Sequence, residues 1–192
     1  VTGTRHLSRR VVLRDHVTVE ELSALAATRN WATRGAIPRN RDEGIFFEKI
    51  WDVSEETRVH YVVDDFLGER YLLVSGPQEP SGAELQELTT GIDQWSVDEA
   101  ALAFDGSVYV PEQERTTFLL GAVAHPAAGE AVSARLVRAS ESAHPSVRRV
   151  AVWAMAYGQD PVCRDTLTNF LARETGQELR QEAEEILRQF TD

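Results

Sequence analysis

The chain has 192 residues, of which 42 % are hydrophobic and 27 % charged, with a formal net charge of −11. That balance excludes a disordered polymer and suits one large domain or two small ones. No apolar run approaches the roughly 20 residues of a bilayer-crossing helix, and the first residues lack an apolar signal core, so a cytoplasmic, non-membrane protein is expected.

Residues 1–16 are basic and irregular, with Val11, Val12 and Leu13 reading as a short strand. Thr18 and Glu21 have the spacing of a capping box, in which hydroxyl and carboxylate each satisfy one free amide of the first helical turn. Val19, Leu22, Leu25 and Ala26 then recur at helical spacing, so a helix is expected from Thr18 to Arg29. Asn30 to Gly44, with Trp31, Gly35 and Pro38, shows no period and reads as a long loop.

Residues 45–75 read as three antiparallel strands. Ile45, Phe47, Trp51 and Val53 share a face of the first; Val59, Tyr61 and Val63 share a face of the second, opposite Arg58, His60 and Asp64. The third is Arg70 to Ser75. Such alternation predicts a sheet with one packed and one wet face. Ser81 with Glu84, and Ser96 with Glu99, open two further helices through capping boxes. Ser107 to Val110 reads as one more strand, and Pro111 as the domain boundary.

Beyond Pro111 the period changes from 2 to 3.6 and five helices are expected: Glu112 to Ala124, Ala128 to Glu141, Pro145 to Tyr157, one opening at Asp160-Pro161, and Gln177 to Phe190. His125-Pro126 and His144-Pro145 break the pattern, and Pro at a helix start forfeits no hydrogen bond. Each helix is too short to stand alone in water, so neighbours must cover it. Val147-Arg148 recurs as Leu179-Arg180 after 32 residues, Ala151 as Ala183 and Met155 as Leu187. A period of that length marks stacked supersecondary units. The small residues Ala151, Ala154 and Ala183 fall where helices approach closely, and the last helix is polar outside one stripe, as a terminal cap must be.

The pattern Val147-Arg148-x-x-Ala151, then Gly158, Asp160-Pro161 and Leu167, resembles a HEAT-like repeat of the PBS-lyase type, with a second partial match in Leu179-Arg180-x-x-Ala183. The fold class expected is therefore α+β. Residues 1–110 form an antiparallel meander with helices, and residues 111–192 an α-helical HEAT-like array. The resemblance implies a groove lined by the second helix of each pair, here presenting Arg135, Arg138, Arg164, Asp165, Thr168 and Asn169. It also implies two other functions that HEAT-like proteins perform, a lyase acting on a bilin-bearing protein and DNA binding.

The residues themselves carry little chemistry. P-loop, GxGxxG, HExxH, CxxC and GxSxG patterns are absent. Histidines at 6, 16, 60, 125 and 144 never fall three or four residues from one another or from Cys163. The lone cysteine excludes an internal disulfide and fits a reducing compartment. His60 with Asp64 and Asp65 reads as solvated polar residues rather than a metal or acid–base site. No enzyme, cofactor or metal is expected.

Charge is uneven. Residues 1–44 hold eight Arg against five acids, residues 45–110 three bases against fourteen acids, and residues 111–192 nine Arg against twelve acids. The acidic middle disfavours nucleic acid and favours a basic protein partner. Arginines spaced through residues 29–41 read as partners for the chain's own acidic sheet, and Trp31 among them as an exposed aromatic contact. The function expected is that of a non-catalytic protein-binding module, an adaptor, regulator or inhibitor.

Overall fold

The sheet is built outward from its turns. In the computed structural model, which describes residues 5–125, 128–158 and 161–190 without the side chain of residue 161, Asp64 closes one hairpin. Its Oδ1 accepts the amides of Phe66 and Leu67, both at 3.0 Å. Gly68 supplies the left-handed backbone the turn requires, at φ 70°. Ser54 closes the preceding hairpin by accepting the amides of Glu56 and Thr57. These turns join β4 (Phe47–Asp52), β5 (Arg58–Asp64) and β6 (Glu69–Gly76) into a meander, led in by β3 (Ala32–Ile37). Two short N-terminal strands, β1 (His6–Leu7) and β2 (Val11–Val12), pair antiparallel with the far side of β6, giving the order β1-β6-β5-β4-β3 with β2 also on β6.

Strand β3 corrects the long-loop expectation. All six of its residues are exposed, so no buried alternation marks it in sequence. A bulge between Thr33 and Gly35 breaks its register further. Edge strands are often kept short, charged or bulged, which blunts pairing with other chains.

One face of the sheet is covered by α1 (Val19–Thr28) and α2 (Gly82–Thr89), both capped as expected by Thr18 with Glu21 and Ser81 with Glu84. Leu22 and Ala26 of α1 and Leu85 of α2 join Trp51, Val59, Tyr61, Leu72 and Val74 in one apolar cluster. Trp51 anchors it at 1 % exposure. The opposite face is not the wet face expected. Val12, Val62, Asp64, Tyr71 and Ser75 on it are all buried. Burial and then the Asp64 carboxylate push the Tyr71 phenol up to about 12.

A second unit begins at Ser96 rather than at Pro111. The helix α3 (Val97–Gly106) buries Ala100, Ala101 and Phe104, and packs on α4 (Val110–Val123) and α5 (Glu130–Ser140). It belongs with the helices because its apolar stripe is matched by theirs. The strand expected at Ser107–Val110 does not form: Ser107 caps α3, and Val110 already lies in α4. The remaining helices, α6 (Pro145–Gly158), α7 (Pro161–Arg173) and α8 (Gln177–Gln189), follow the expected boundaries closely. Pro126, expected to break a helix, and Asp160, expected to open one, lie outside the described residues.

The helices pack in two rows. One row contains α3, α5 and α7, the other α4, α6 and α8, and each helix also packs on its neighbours along the chain. The closest approach falls between α4 and α6. A Cβ added to Gly121 would lie 2.7 Å from both the Cα and the carbonyl oxygen of Ala154. Ala154 thus marks a tight helix contact as expected, and Ala151 and Ala183 are likewise fully buried.

The 32-residue recurrence has a structural counterpart. Arg148 Nη1 donates to the carbonyl of Ser142, six residues back, and Arg180 Nη1 donates to the carbonyl of Glu174, also six back. Each arginine thus ties the start of its helix to the turn before it, satisfying carbonyls released where the preceding helix ends. Arg148 also reaches forward to Glu174, its Nε 2.8 Å from Oε2. The carboxylate, only 4 % exposed, further accepts the amides of Thr175 and Gly176. One hydrogen-bonded cluster therefore joins the α5–α6 turn to the α7–α8 turn.

Candidate functional site

In the helical unit, α5 and α7 present their outward faces side by side in one row. The buried stripe of α5 is Val132, Leu136 and Ala139; that of α7 is Cys163, Leu167 and Phe170, with identical spacing. Helical periodicity then directs Arg135 and Arg138 on α5, and Arg164, Asp165, Thr168 and Asn169 on α7, away from the core.

These six residues divide into two chemically different sets. Arg135 and Arg138 both clasp Asp105 at the end of α3, Arg135 through Nε at 3.1 Å and through Nη2, Arg138 through Nη2. The two guanidiniums hold the Asp105 carboxyl below the usual range, with the Arg135 hydrogen bond the largest cause. Arg138 also lies over the Phe104 ring, 4.8 Å from its centroid. This pair is structural: it links neighbouring helices of one row. Arg164, Asp165, Thr168 and Asn169 are all exposed. Thr168 turns its hydroxyl back onto the carbonyl of Arg164. The charged groups of Arg164 and Asp165 have no partner among the described residues, and Val162 beside them is 47 % exposed.

Two recesses flank the α5–α6 turn. One, of about 540 Å³, lies between Phe104, Asp105 and Arg138 on one side and Glu141 and Ser142 on the other. The second, of about 240 Å³, lies between Glu141 and Ser142 and the group Phe170, Arg173 and Glu174. Glu141 bonds Arg173 across the second recess at 2.8 Å. Successive helical turns thus leave a row of notches, each bordered by a cation and an anion.

Trp31 belongs to the sheet unit. It is not the exposed loop aromatic expected. It is half-buried against the sheet core immediately ahead of β3. The Arg29 guanidinium stands 5.2 Å from its ring centroid. The expected pairing of loop arginines with sheet acids does form: Arg34 with Asp52, and Arg39 and Arg41 with Asp65. Arg58 also holds Asp52 at 3.0 Å. Burial raises the Asp52 pKa, and the hydrogen bonds and charges of Arg58 and Arg34 outweigh it, leaving the carboxyl below its usual range. Asp52 and Asp65, two of the fourteen acids of the middle segment, are therefore engaged by arginines, and others stay exposed. Glu56, Glu84 and Glu87 rim a cavity of about 420 Å³ floored by Val53, Val74 and Leu88.

One constellation has no signature in sequence spacing. On the sheet face away from α1 and α2, His60 of β5 bridges Glu48 of β4 and Ser75 of β6. Its Nδ1 is 2.6 Å from Glu48 Oε1 and its Nε2 2.8 Å from Ser75 Oγ. Asp64 and Asp65 do not join it: Asp64 serves its turn and Tyr71, and Asp65 serves Arg39 and Arg41. The three residues share a face because each takes the alternate register to the core positions of its strand. Only the strand pairing brings them together, so sequence spacing alone held no signal.

Among the described residues no group of three or more His, Cys, Asp or Glu is placed to hold a metal ion, and no helix is long and apolar enough to cross a membrane. Comparisons with protein-family models, with curated proteins and with solved structures return no match.

Proposed function

We propose that the helical unit is a HEAT-like array that acts by binding another protein, with α5, α7 and the notches at their turn ends as the contact surface. The observation that carries this reading is the exposed face of α7. Four polar side chains stand there together, two of them charged groups with no partner among the described residues, in a unit where about half of the other charges are tied into ion pairs. Charged residues committed to one another contribute little to recognition, whereas uncommitted ones can be desolvated by a partner that satisfies them. The two-row packing and the equivalent Arg148 and Arg180 contacts support the repeat reading. The acidic sheet, offered by the sequence as a second contact surface, plays a smaller part, because Asp52 and Asp65 are engaged by the chain's own arginines and Glu48 by His60.

The test is a comparison of captured partners. The full chain and a variant with Arg164→Ala, Asp165→Ala, Thr168→Ala and Asn169→Ala are used as baits in extract of the source cell, at physiological salt. We expect a discrete protein retained by the first and lost by the second, while circular dichroism stays unchanged. Recovery of the same proteins by both baits would overturn the reading.

A further inference from the structure

The Ser75–His60–Glu48 array has a geometry that a purely structural hydrogen-bond ladder does not require. An ionised Glu48 only accepts hydrogen bonds, so the proton of a neutral imidazole sits on Nδ1, 2.6 Å from Oε1. That leaves Nε2 as an acceptor facing Ser75 Oγ at 2.8 Å. Hydroxyl, base and orienting carboxylate are thus in line, each within hydrogen-bond reach of the next, as nucleophilic relays require. Arg5 adds a cation beside the hydroxyl: its Nε–H points to Ser75 Oγ at 3.4 Å, and its Nη2–H donates to the Ser75 carbonyl at 3.3 Å. The three relay residues come from the adjacent strands β4, β5 and β6, which hold them more rigidly than loops would.

We propose that Ser75 is a nucleophile, with His60 as its general base and Glu48 as the residue that positions the imidazole, and that it takes an acyl group from an activated ester. This goes beyond binding by the helical unit and does not depend on it. In the step, His60 Nε2 accepts the Ser75 Oγ proton as Oγ bonds to the carbonyl carbon. The bond from that carbon to the leaving oxygen breaks, and the leaving alkoxide takes the proton from Nε2. Water, deprotonated by the same nitrogen, then cleaves the acyl-serine. The sum is ester plus water to acid plus alcohol.

Access is the demanding part, since Ser75 is 2 % exposed. The His60 and Glu48 side chains are 15 % and 25 % exposed, so the relay opens to solvent at its base end. Arg5, on an exposed segment leading into the two-residue strand β1, covers the hydroxyl end. Arg5 is held there by a further bond from Nη2 to the Glu56 carbonyl at 2.5 Å, so that side chain must move before Oγ can meet a substrate.

A fluorophosphonate probe tests the proposal on the full chain, because its phosphorus is attacked by an activated serine oxygen with loss of fluoride. The readouts are intact mass, peptide mapping and the rate of adduct formation. We expect one adduct, mapped to Ser75, formed faster in Arg5→Ala, abolished in Ser75→Ala, and slowed about 10²–10⁴-fold in His60→Gln, the range by which a positioned base accelerates proton transfer. A downfield imidazole proton resonance should be present in the wild type and missing in Glu48→Gln with its melting curve unchanged. No adduct in either the wild type or Arg5→Ala overturns the proposal. So does an adduct mapped in the wild type to any other residue, which needs no variant to fold, or a rate unaffected by His60→Gln.

Discussion

Replacing Gly121 by alanine sets two effects of known size against each other. In an ordinary helix the change is favourable by about 0.8–1 kcal/mol, because alanine restricts the unfolded chain and glycine does not. Here the new methyl would stand 2.7 Å from backbone atoms of Ala154, where carbon contacts settle at about 3.5–4.0 Å. The obstructing atoms include Cα and a carbonyl oxygen, which cannot rotate aside, so α4 and α6 must part by close to 1 Å. Overpacking of this kind costs about 1–3 kcal/mol, and a rigid obstacle places Gly121 toward the upper end. The net expectation is a loss of about 1–2 kcal/mol. Urea unfolding followed by circular dichroism at the helical band measures it, with the slope checked for constancy. Gly106→Ala is the control, since nothing lies within 4 Å of its added Cβ; it should be neutral or slightly stabilising. A Gly121→Ala variant as stable as the control would refute the close approach of α4 and α6.

Glu174→Gln should cost about 2 kcal/mol, below the range for a fully buried pair because Arg148 is 21 % exposed and keeps its bonds to the Ser142 and Ala143 carbonyls. The Glu174 carboxyl is held below its usual range, chiefly by the Arg148 hydrogen bond and against the opposing effect of burial. Its contribution is therefore present above the unfolded pKa of about 4.5 and lost as pH falls through the lower folded value. Acid unfolding of the helical unit should accordingly be less steep in the variant. Trp31→Ala should destabilise the sheet unit by about 2 kcal/mol, roughly half the cost of truncating a fully buried aromatic; a change within 0.5 kcal/mol would return Trp31 to the role of an exposed contact. Asp64→Asn removes the charge that assists burial in raising the Tyr71 phenol. A spectrophotometric titration should find that phenol ionising below its present value of about 12 yet still above 10, because burial is the larger cause.

Periodic burial was the legible part of the sequence. All three capping boxes opened helices, and the helices of the second unit began and ended within a few residues of their expected limits. β3 was invisible because alternation reports burial, and a strand exposed on both faces has none to report. The absence of the strand expected at Ser107–Val110 has the reverse origin: Val108 and Tyr109 are 76 % and 70 % exposed, so their apolar, β-prone character marks surface and not a strand. The domain boundary slipped to Pro111 because α3 looks like a helix attached to the sheet until its stripe of Ala100, Ala101 and Phe104 is seen against α4 and α5. Among the candidate contact residues, helical spacing identifies which side chains leave the core, yet it cannot tell Arg138, bound to Asp105, from Arg164, whose guanidinium has no partner among the described residues. That distinction rests on an ion pair spanning 33 residues. The Glu48–His60–Ser75 array lay beyond reach for the same reason, since register sets it.

Hydrogen exchange of the full chain, alone and with the partner its helical unit captures, tests the proposed contact surface most directly. We expect slowed exchange across α7, extending to α5 and the Glu141–Ser142 turn, with the amides of α1 and the core strand β5 unchanged. Protection confined to the sheet unit, or none at all in the α7 helix, would contradict the assignment of that face to binding.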